Sequence, residues 1–166
     1  ALSSHNLSRP KKLISPIIKL LDFYLDEFLN DSSKYKYNIR FIGNLNFFKT
    51  DTRSKLEIIN NQNKYPKTLI LALNYSGTQD IIQAADLFKK NKNSKIHFTD
   101  LMSTSHYPNP DLLIRTGGYQ RLSDFFLFQM NFTELFFLNV LWPNLKNKSV
   151  DAIVDKYSKI ERKFGK

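Results

Sequence analysis

The chain contains no cysteine, which excludes disulfide stapling and thiolate chemistry. Its three histidines, His5, His97 and His106, are scattered without the spacing of zinc ligands. His97 and His106 read as ordinary surface residues. No apolar run reaches the ~18 residues of a membrane span, and the opening residues do not read as a secretory signal. Acidic residues are few. Asp and Glu number 15 against 25 Lys and Arg, a formal net charge of +10. That excess favours anionic partners: diphosphates, a lipid surface or nucleic acid. There is no internal repeat and no long linker, so the 166 residues are expected to form one domain, 1–166. What the chain does have is apolar and aromatic content, 42% hydrophobic with 14 Phe and 8 Tyr. That composition predicts a packed interior rather than disorder.

Residue 1 is Ala rather than Met, and Ala1-Leu-Ser-Ser reads as a strand end. Ser15 and Pro16 suit the N-cap and first position of a helix. Ile17, Leu21, Tyr24, Leu25 and Phe28 then fall on one helical face. Tyr37 to Ile42 reads as a strand, and Thr52 to Asn61 as a short polar helix. Thr68 to Leu73 is a continuous apolar run, as in a buried parallel strand. Asn74 to Gly77 reads as a turn. Gln79 to Lys89 predicts a helix with Ile81, Ile82, Ala85 and Phe88 inside. Lys89 to Lys95 reads as a solvated basic loop. Ile96 to Phe98 reads as a short strand, Asp111 to Arg115 as a strand and Phe125 to Phe132 as a short helix. Glu134 to Leu138 reads as another buried strand, and Val150 to Arg162 as a terminal helix. Trp142 and the aromatics from Phe125 to Phe137 read as core or dimer interface. The alternation of strands and helices predicts an α/β fold with a mostly parallel central sheet surrounded by helices.

The run Asp111-Leu-Leu-Ile-Arg-Thr-Gly-Gly-Tyr-Gln-Arg-Leu-Ser-Asp124 carries the clearest chemistry. An apolar strand ends in Arg115 and a Gly-Gly turn, followed by Arg121 and Ser123. Glycines permit a tight turn and close approach to a ligand. Two guanidiniums and a hydroxyl suit a phosphate or diphosphate. Ligands of open α/β sheets bind outside the carboxyl ends of the strands. Taken singly, Arg115 and Arg121 also read as surface arginines flanking a turn.

These stretches resemble the cis-prenyltransferases, typified by undecaprenyl diphosphate synthase. Ala1-Leu-Ser-Ser-His-Asn-Leu-Ser-Arg-Pro10 is similar to the family's Phe-Ser-x-Glu-Asn-Trp-x-Arg-Pro segment. Ile39-Arg-Phe-Ile-Gly43 and Leu73-Asn-Tyr-Ser-Gly77 resemble its Val-Arg-x-Ile-Gly and Asn-Tyr-Gly-Gly strands. Pro110 to Gly118 with Arg121-Leu-Ser123 is the strongest match. Phe128-Gln129, Glu134-Leu-Phe-Phe, Val140-Leu-Trp-Pro143 and Glu161-Arg-Lys-Phe-Gly165 follow in order.

The resemblance implies an enzyme that adds isopentenyl diphosphate to an allylic diphosphate, such as farnesyl diphosphate, with cis geometry. It implies Mg²⁺ as cofactor, a homodimer, a hydrophobic tunnel for the product and no nucleic-acid partner. It also implies a cytoplasmic or loosely membrane-attached protein, or an organellar one in a eukaryotic source. Carried over by position, Arg115, Arg121, Leu122 and Ser123 would hold isopentenyl diphosphate. Asn6 would assist proton removal, and Arg9 would contact a diphosphate. Ser3, Ser4, His5 and Leu7 would line the same site. Glu134 would help hold magnesium, reaching it from the neighbouring subunit.

Plainer readings stand beside these. Asn6 also suits a turn or cap, and Glu134 a strand-edge carboxylate paired with a lysine. The family's signature Asp-Gly-Asn-Gly-Arg segment has no counterpart here, so the chain by itself is expected to be inactive and truncated at its N-terminus. Within the matched stretches, His5 replaces Glu, Leu7 replaces Trp, Ser76 replaces Gly and Thr78 replaces Arg. Tyr119 and Asp124 replace Glu and Asn. Two alternatives follow: a non-catalytic subunit or degenerate fragment of a heteromeric prenyltransferase, and a basic nucleic-acid-binding domain.

Overall fold

A computed structural model describes residues 2–91 and 95–162. The chain divides into two compact units, Ala1–Ser105 and His106–Lys166. Ala1, the middle of the Lys89 to Lys95 loop and the end of the Glu161 to Gly165 match lie outside the described residues.

The first unit is built on three parallel strands in the order β1 (Leu2–Ser3), β3 (Thr68–Tyr75) and β2 (Asn38–Ile42). The apolar run of β3 is longer than its sequence suggests. Asn74 and Tyr75 belong to the strand, although both read as turn residues. Central strands with neighbours on both sides need a near-continuous apolar sequence, and β3 supplies it. Ile39 aligns with Leu69, and Ile42 with Ala72. All three strands therefore end on the same edge.

Helix α1 (Lys11–Asn30) and helix α2 (Thr50–Asn60) cover this sheet. The start of α1 corrects the sequence reading. The Pro10 carbonyl accepts the Leu13 N–H at 2.9 Å, so the helix begins at Lys11, and Pro16 lies inside it. Pro16 lacks the N–H that would bond back toward Lys12, and its position is exposed. Only Ile14, Leu25 and Phe28 of α1 are buried; Ile17 and Tyr24 are about half exposed. The core holds Leu25 and Phe28 against Ile39, Phe41, Phe48, Leu56, Ile59 and Leu73. Leu56 and Ile59 have no exposed surface, and burial of that kind contributes about 1.5–3 kcal/mol per side chain. The Asp22 carboxylate accepts the Thr52 hydroxyl at 2.6 Å, and Lys55 pairs with Asp26 at 2.7 Å, joining the two helices.

Helix α3 (Gly77–Lys90) presents a different face from the one expected. Its buried residues are Gly77, Asp80 and Ala84, whereas Ile82 and Phe88 are about half exposed. The side facing the strand ends is selected by Ser76 and Asp80, whose polar contacts outweigh the apolar count. Ile96 to Phe98 forms no strand; Phe98–Leu101 is a single 3₁₀ turn.

The second unit contains two parallel strands, β4 (Leu112–Arg115) and β5 (Glu134–Phe137), and helix α4 (Asn147–Tyr157). The expected helix over Phe125 to Phe132 does not form. Ser123, Asp124 and Phe126 adopt left-handed backbone, with φ of 52°, 62° and 48°, and such residues cannot propagate a right-handed helix. Nor is β5 a buried strand, since Leu135 is 43% exposed. Trp142, at 74% exposed, is not a core residue. Among the described residues, no helix is long and apolar enough to cross a membrane.

Candidate active site

In the first unit the carboxyl ends of the strands surround a polar cavity of about 110 Å³. Gly43, after β2, has φ of +107°, and a Cβ there would lie 2.1 Å from the Leu73 carbonyl oxygen. Only glycine lets the chain turn that close to β3. Asn74 locks the turn from the other side. Its Nδ2 donates to the Asn44 carbonyl at 2.9 Å, and its own carbonyl accepts the Asn44 N–H at 3.2 Å. Ser76 caps α3 by accepting the Gln79 N–H at 3.1 Å. The buried Asp80 carboxylate accepts from the Tyr75 hydroxyl and from both the N–H and the hydroxyl of Ser103, each at 2.9 Å. Asn44, Asn74, Gln79, Gln83 and Ser4 complete most of the lining, which among the described residues includes no Lys, Arg or His.

Ser3 ends β1 and caps a 3₁₀ turn in which Ser4, His5, Asn6 and Leu7 follow at this edge. Ser3 Oγ accepts the His5 N–H at 3.3 Å, and the Asn6 carbonyl accepts the Arg9 N–H at 3.1 Å. Of these residues Ser4 lines the cavity. Leu7 instead packs against the hydrophobic core, and His5 and Arg9 are exposed.

Below the cavity, along the same strand, the chemistry turns apolar. Leu71 and Leu73 of β3, with Ile17, Leu20, Leu21 and Tyr24 of α1, line a groove of about 270 Å³. A second apolar space of about 230 Å³ shares Leu21, Tyr24 and Leu71 with it and reaches Phe28, Ile39 and Ile59. The half-exposed apolar side chains of α1 therefore face a hollow rather than a filled core.

In the second unit, Arg115 ends β4 and the chain turns at Gly117 and Gly118, with φ of +94° and +79°. Their N–H groups donate to the Val140 and Leu138 carbonyls at 2.8 and 3.0 Å. These amides are committed to the end of β5, so anion recognition here falls to side chains. Arg115 Nη1 donates to the Ser123 hydroxyl at 2.9 Å and to the Arg121 carbonyl. The Arg121 guanidinium lies 4.3 Å from the Tyr119 ring centre, a cation–π geometry. Arg115, Arg121 and Ser123 are thus brought together, with Leu122 half-buried between them.

Glu134 lies at the other end of this sheet. It pairs with Leu112, whereas Arg115 pairs with Phe137. Three strand steps of ~3.3 Å put its backbone about 10 Å from the level of Arg115. Among the described residues there is no group of three or more His, Asp or Glu able to hold a metal. Arg162, after α4, hydrogen-bonds the Asp111 carboxylate, and that bond is the main reason its pKa is raised.

The family model described as putative undecaprenyl diphosphate synthase matches residues 1–165. The chain belongs to this family. It is 37% identical to dehydrodolichyl diphosphate synthase 3 of Arabidopsis thaliana, over 99% of this chain but 59% of that protein. It is 30% identical to the farnesyl-diphosphate-specific undecaprenyl diphosphate synthase of Micrococcus luteus, over 99% and 71%. A crystal structure of a probable undecaprenyl diphosphate synthase from Campylobacter jejuni superposes with a TM-score of 0.86 at 32% identity, covering all of this chain and 81% of that one. Lavandulyl diphosphate synthase from Lavandula x intermedia, solved with dimethylallyl diphosphate, gives 0.87 at 27% identity, over 100% and 77%. The fold is therefore that of the cis-prenyltransferases, and the chain spans well under two thirds of the plant relative.

Family membership came through motifs, but several site residues lie outside them. Asn44, Gln79, Asp80, Gln83 and Ser103 line the cavity, and all but Asp80 carry no sequence signature of their own. Asp80 had one usable signal, an acid in the first turn after the Ser76 cap, where the helix dipole favours it. Arg162 had none, because its partners are distant in sequence.

Proposed function

We propose that the protein of which this chain forms part condenses isopentenyl diphosphate with an allylic diphosphate, such as farnesyl diphosphate, to give a Z-polyprenyl diphosphate. The observation that carries this reading is the Arg115–Ser123–Arg121 cluster at the carboxyl end of β4. Arg115 is oriented by the loop it binds, so its fork is set before substrate arrives. Arg121 supplies the second cation. Together they suit the diphosphate of isopentenyl diphosphate, whose double bond must be held toward the allylic carbon.

In the reaction the allylic C–O bond breaks and diphosphate leaves with the electron pair. A carbon–carbon bond forms to the terminal carbon C4 of isopentenyl diphosphate, cationic character passes to C3, and a proton is lost from C2, whose C–H electrons form the new double bond. Asn6, at the carboxyl end of β1, is assigned to the proton-loss step. Arg9 is assigned to a substrate diphosphate. The apolar spaces between α1 and β3 suit the growing prenyl tail, because they open below the polar strand ends and share Leu21, Tyr24 and Leu71.

Magnesium usually takes one or two protein carboxylates plus phosphate oxygens. Glu134 fits as one such ligand, and Mg²⁺ bound there would neutralise charge building on the leaving diphosphate. Its separation from Arg115 along the sheet supports service to the site of a neighbouring subunit, in a homodimer. The exposed Trp142 and Leu141 suit such an interface. The net charge of +10 suits loose contact with an anionic membrane that receives the product.

The test is steady-state kinetics on the full-length protein with Arg115→Ala and Arg121→Ala. Loss of one charge-assisted diphosphate contact raises KM for isopentenyl diphosphate about 10- to 100-fold. Unchanged kinetics in both variants would sink the assignment.

A further inference from the structure

The Arg162 guanidinium ties three separate parts of the second unit together. Nη1 donates to the Asp111 carboxylate and to the Tyr157 hydroxyl, the latter at 3.0 Å, and Nη2 donates to the Phe132 carbonyl at 3.0 Å. Two of these partners flank Glu134. Phe132 lies two residues before it, and the Asp111 carbonyl accepts the Glu134 N–H at 3.0 Å. Between them, the Thr133 hydroxyl donates to the Pro110 carbonyl at 2.6 Å. The backbone entering β5 is thus tied residue by residue to the backbone entering β4, and Arg162 bridges the two.

This is more than a surface ion pair, which on its own contributes little. The Arg162 side chain is only 22% exposed. Its planar fork spans a carboxylate, a hydroxyl and a carbonyl, a set that a lysine ammonium cannot reproduce. Tyr157 connects the bridge to α4, so the helix end, the two strand starts and the backbone of Glu134 are linked through one guanidinium.

We infer that Arg162 is a positioning residue for Glu134, fixing the start of β5 and with it the direction in which this carboxylate leaves the sheet. The inference deepens the proposed function and rests on the metal role given there to Glu134. Groups that orient a ligating carboxylate characteristically change metal affinity by about 10- to 100-fold when removed.

The experiment is Mn²⁺ binding to the full-length protein in the presence of inorganic diphosphate, read as loss of the free-ion electron paramagnetic resonance signal. Thermal unfolding is recorded for each variant. Glu134→Gln and Arg162→Gln should each weaken Mn²⁺ binding about 10-fold, and Arg162→Lys should not restore it. Wild-type affinity in Arg162→Gln beside a weakened Glu134→Gln overturns the positioning role and leaves the proposed function standing. Wild-type affinity in both overturns the metal role of Glu134 and this inference together. If Arg162→Gln does not fold, Asp111→Asn removes the carboxylate tie and keeps the main-chain bond to Glu134. A loss of at least about threefold in that variant supports the inference, and no loss overturns it.

Discussion

The two units end their parallel strands in the same way and furnish those ends with opposite chemistry. In the first, Gly43 turns the chain against β3, and the edge is lined by amides, hydroxyls and one buried carboxylate. In the second, Gly117 and Gly118 turn the chain against β5, and the edge carries two guanidiniums and a hydroxyl. A cavity of neutral and acidic lining above an apolar groove suits the positioning of a tail and of reacting carbons, with the exposed Arg9 a cation beside it. A cationic edge suits the grip on a diphosphate. Strand-end geometry alone therefore does not say what binds; the side chains placed on it do.

The glycines test how far the likeness extends. Alanine at Gly43 meets a backbone carbonyl at 2.1 Å as well as a positive φ. Neither can relax without moving β3, so Gly43→Ala should cost about 3–5 kcal/mol in denaturant unfolding. A loss under about 1 kcal/mol would mean that the turn is free to rearrange. Asp80→Asn addresses the chemistry of the first edge. The carboxylate accepts from the Tyr75 hydroxyl and from the N–H and hydroxyl of Ser103, and the amide can accept on only one of its two terminal atoms. A loss of about 2 kcal/mol is expected, with diphosphate binding by the second unit unchanged. If diphosphate binding fell in step, the division of labour between the two edges would be broken.

Much of this arrangement is legible in the sequence, for identifiable reasons. The apolar run of β3 announces a buried parallel strand because strands pair with it on both edges and its carboxyl half is buried, and the shorter run of β4 announces a strand although it has one neighbour and is half-buried. The Arg115 to Ser123 spacing announces the cluster of Arg115, Arg121 and Ser123 because its residues are close together in the chain. The orientation of α3 is not legible. Ile81, Ile82, Ala85 and Phe88 make the better apolar stripe, yet Asp80 is drawn inward by Tyr75 and Ser103, the latter 23 residues away. The missing helix near Phe125 fails for a backbone reason, three left-handed residues, that composition does not reveal. The early start of α1 turns on one carbonyl, that of Pro10, which makes Pro16 a tolerated interior residue rather than a boundary.

Smaller effects sharpen the second edge. Gly117 has nothing within 4 Å of a built Cβ, and only its φ of +94° resists substitution. Gly117→Ala should therefore cost about 1–2 kcal/mol in unfolding, well below the Gly43 variant. Equal losses at the two positions would show that backbone strain, not the close approach to Leu73, dominates at both.

The smallest expected effect is at Ser123. Its hydroxyl accepts from Arg115 Nη1, and its backbone is left-handed, with φ of 52°. Ser123→Ala removes the hydroxyl and leaves the strained backbone in place. Inorganic diphosphate binding, measured by calorimetry, should weaken about fivefold, near 1 kcal/mol. Ser123→Gly separates the two causes. Glycine relieves the backbone but also lacks the hydroxyl, so it should bind as weakly as alanine if the hydroxyl orients Arg115. Recovery of wild-type affinity in the glycine variant would assign the loss to the loop backbone, and Arg115 would then be held by the Arg121 carbonyl alone.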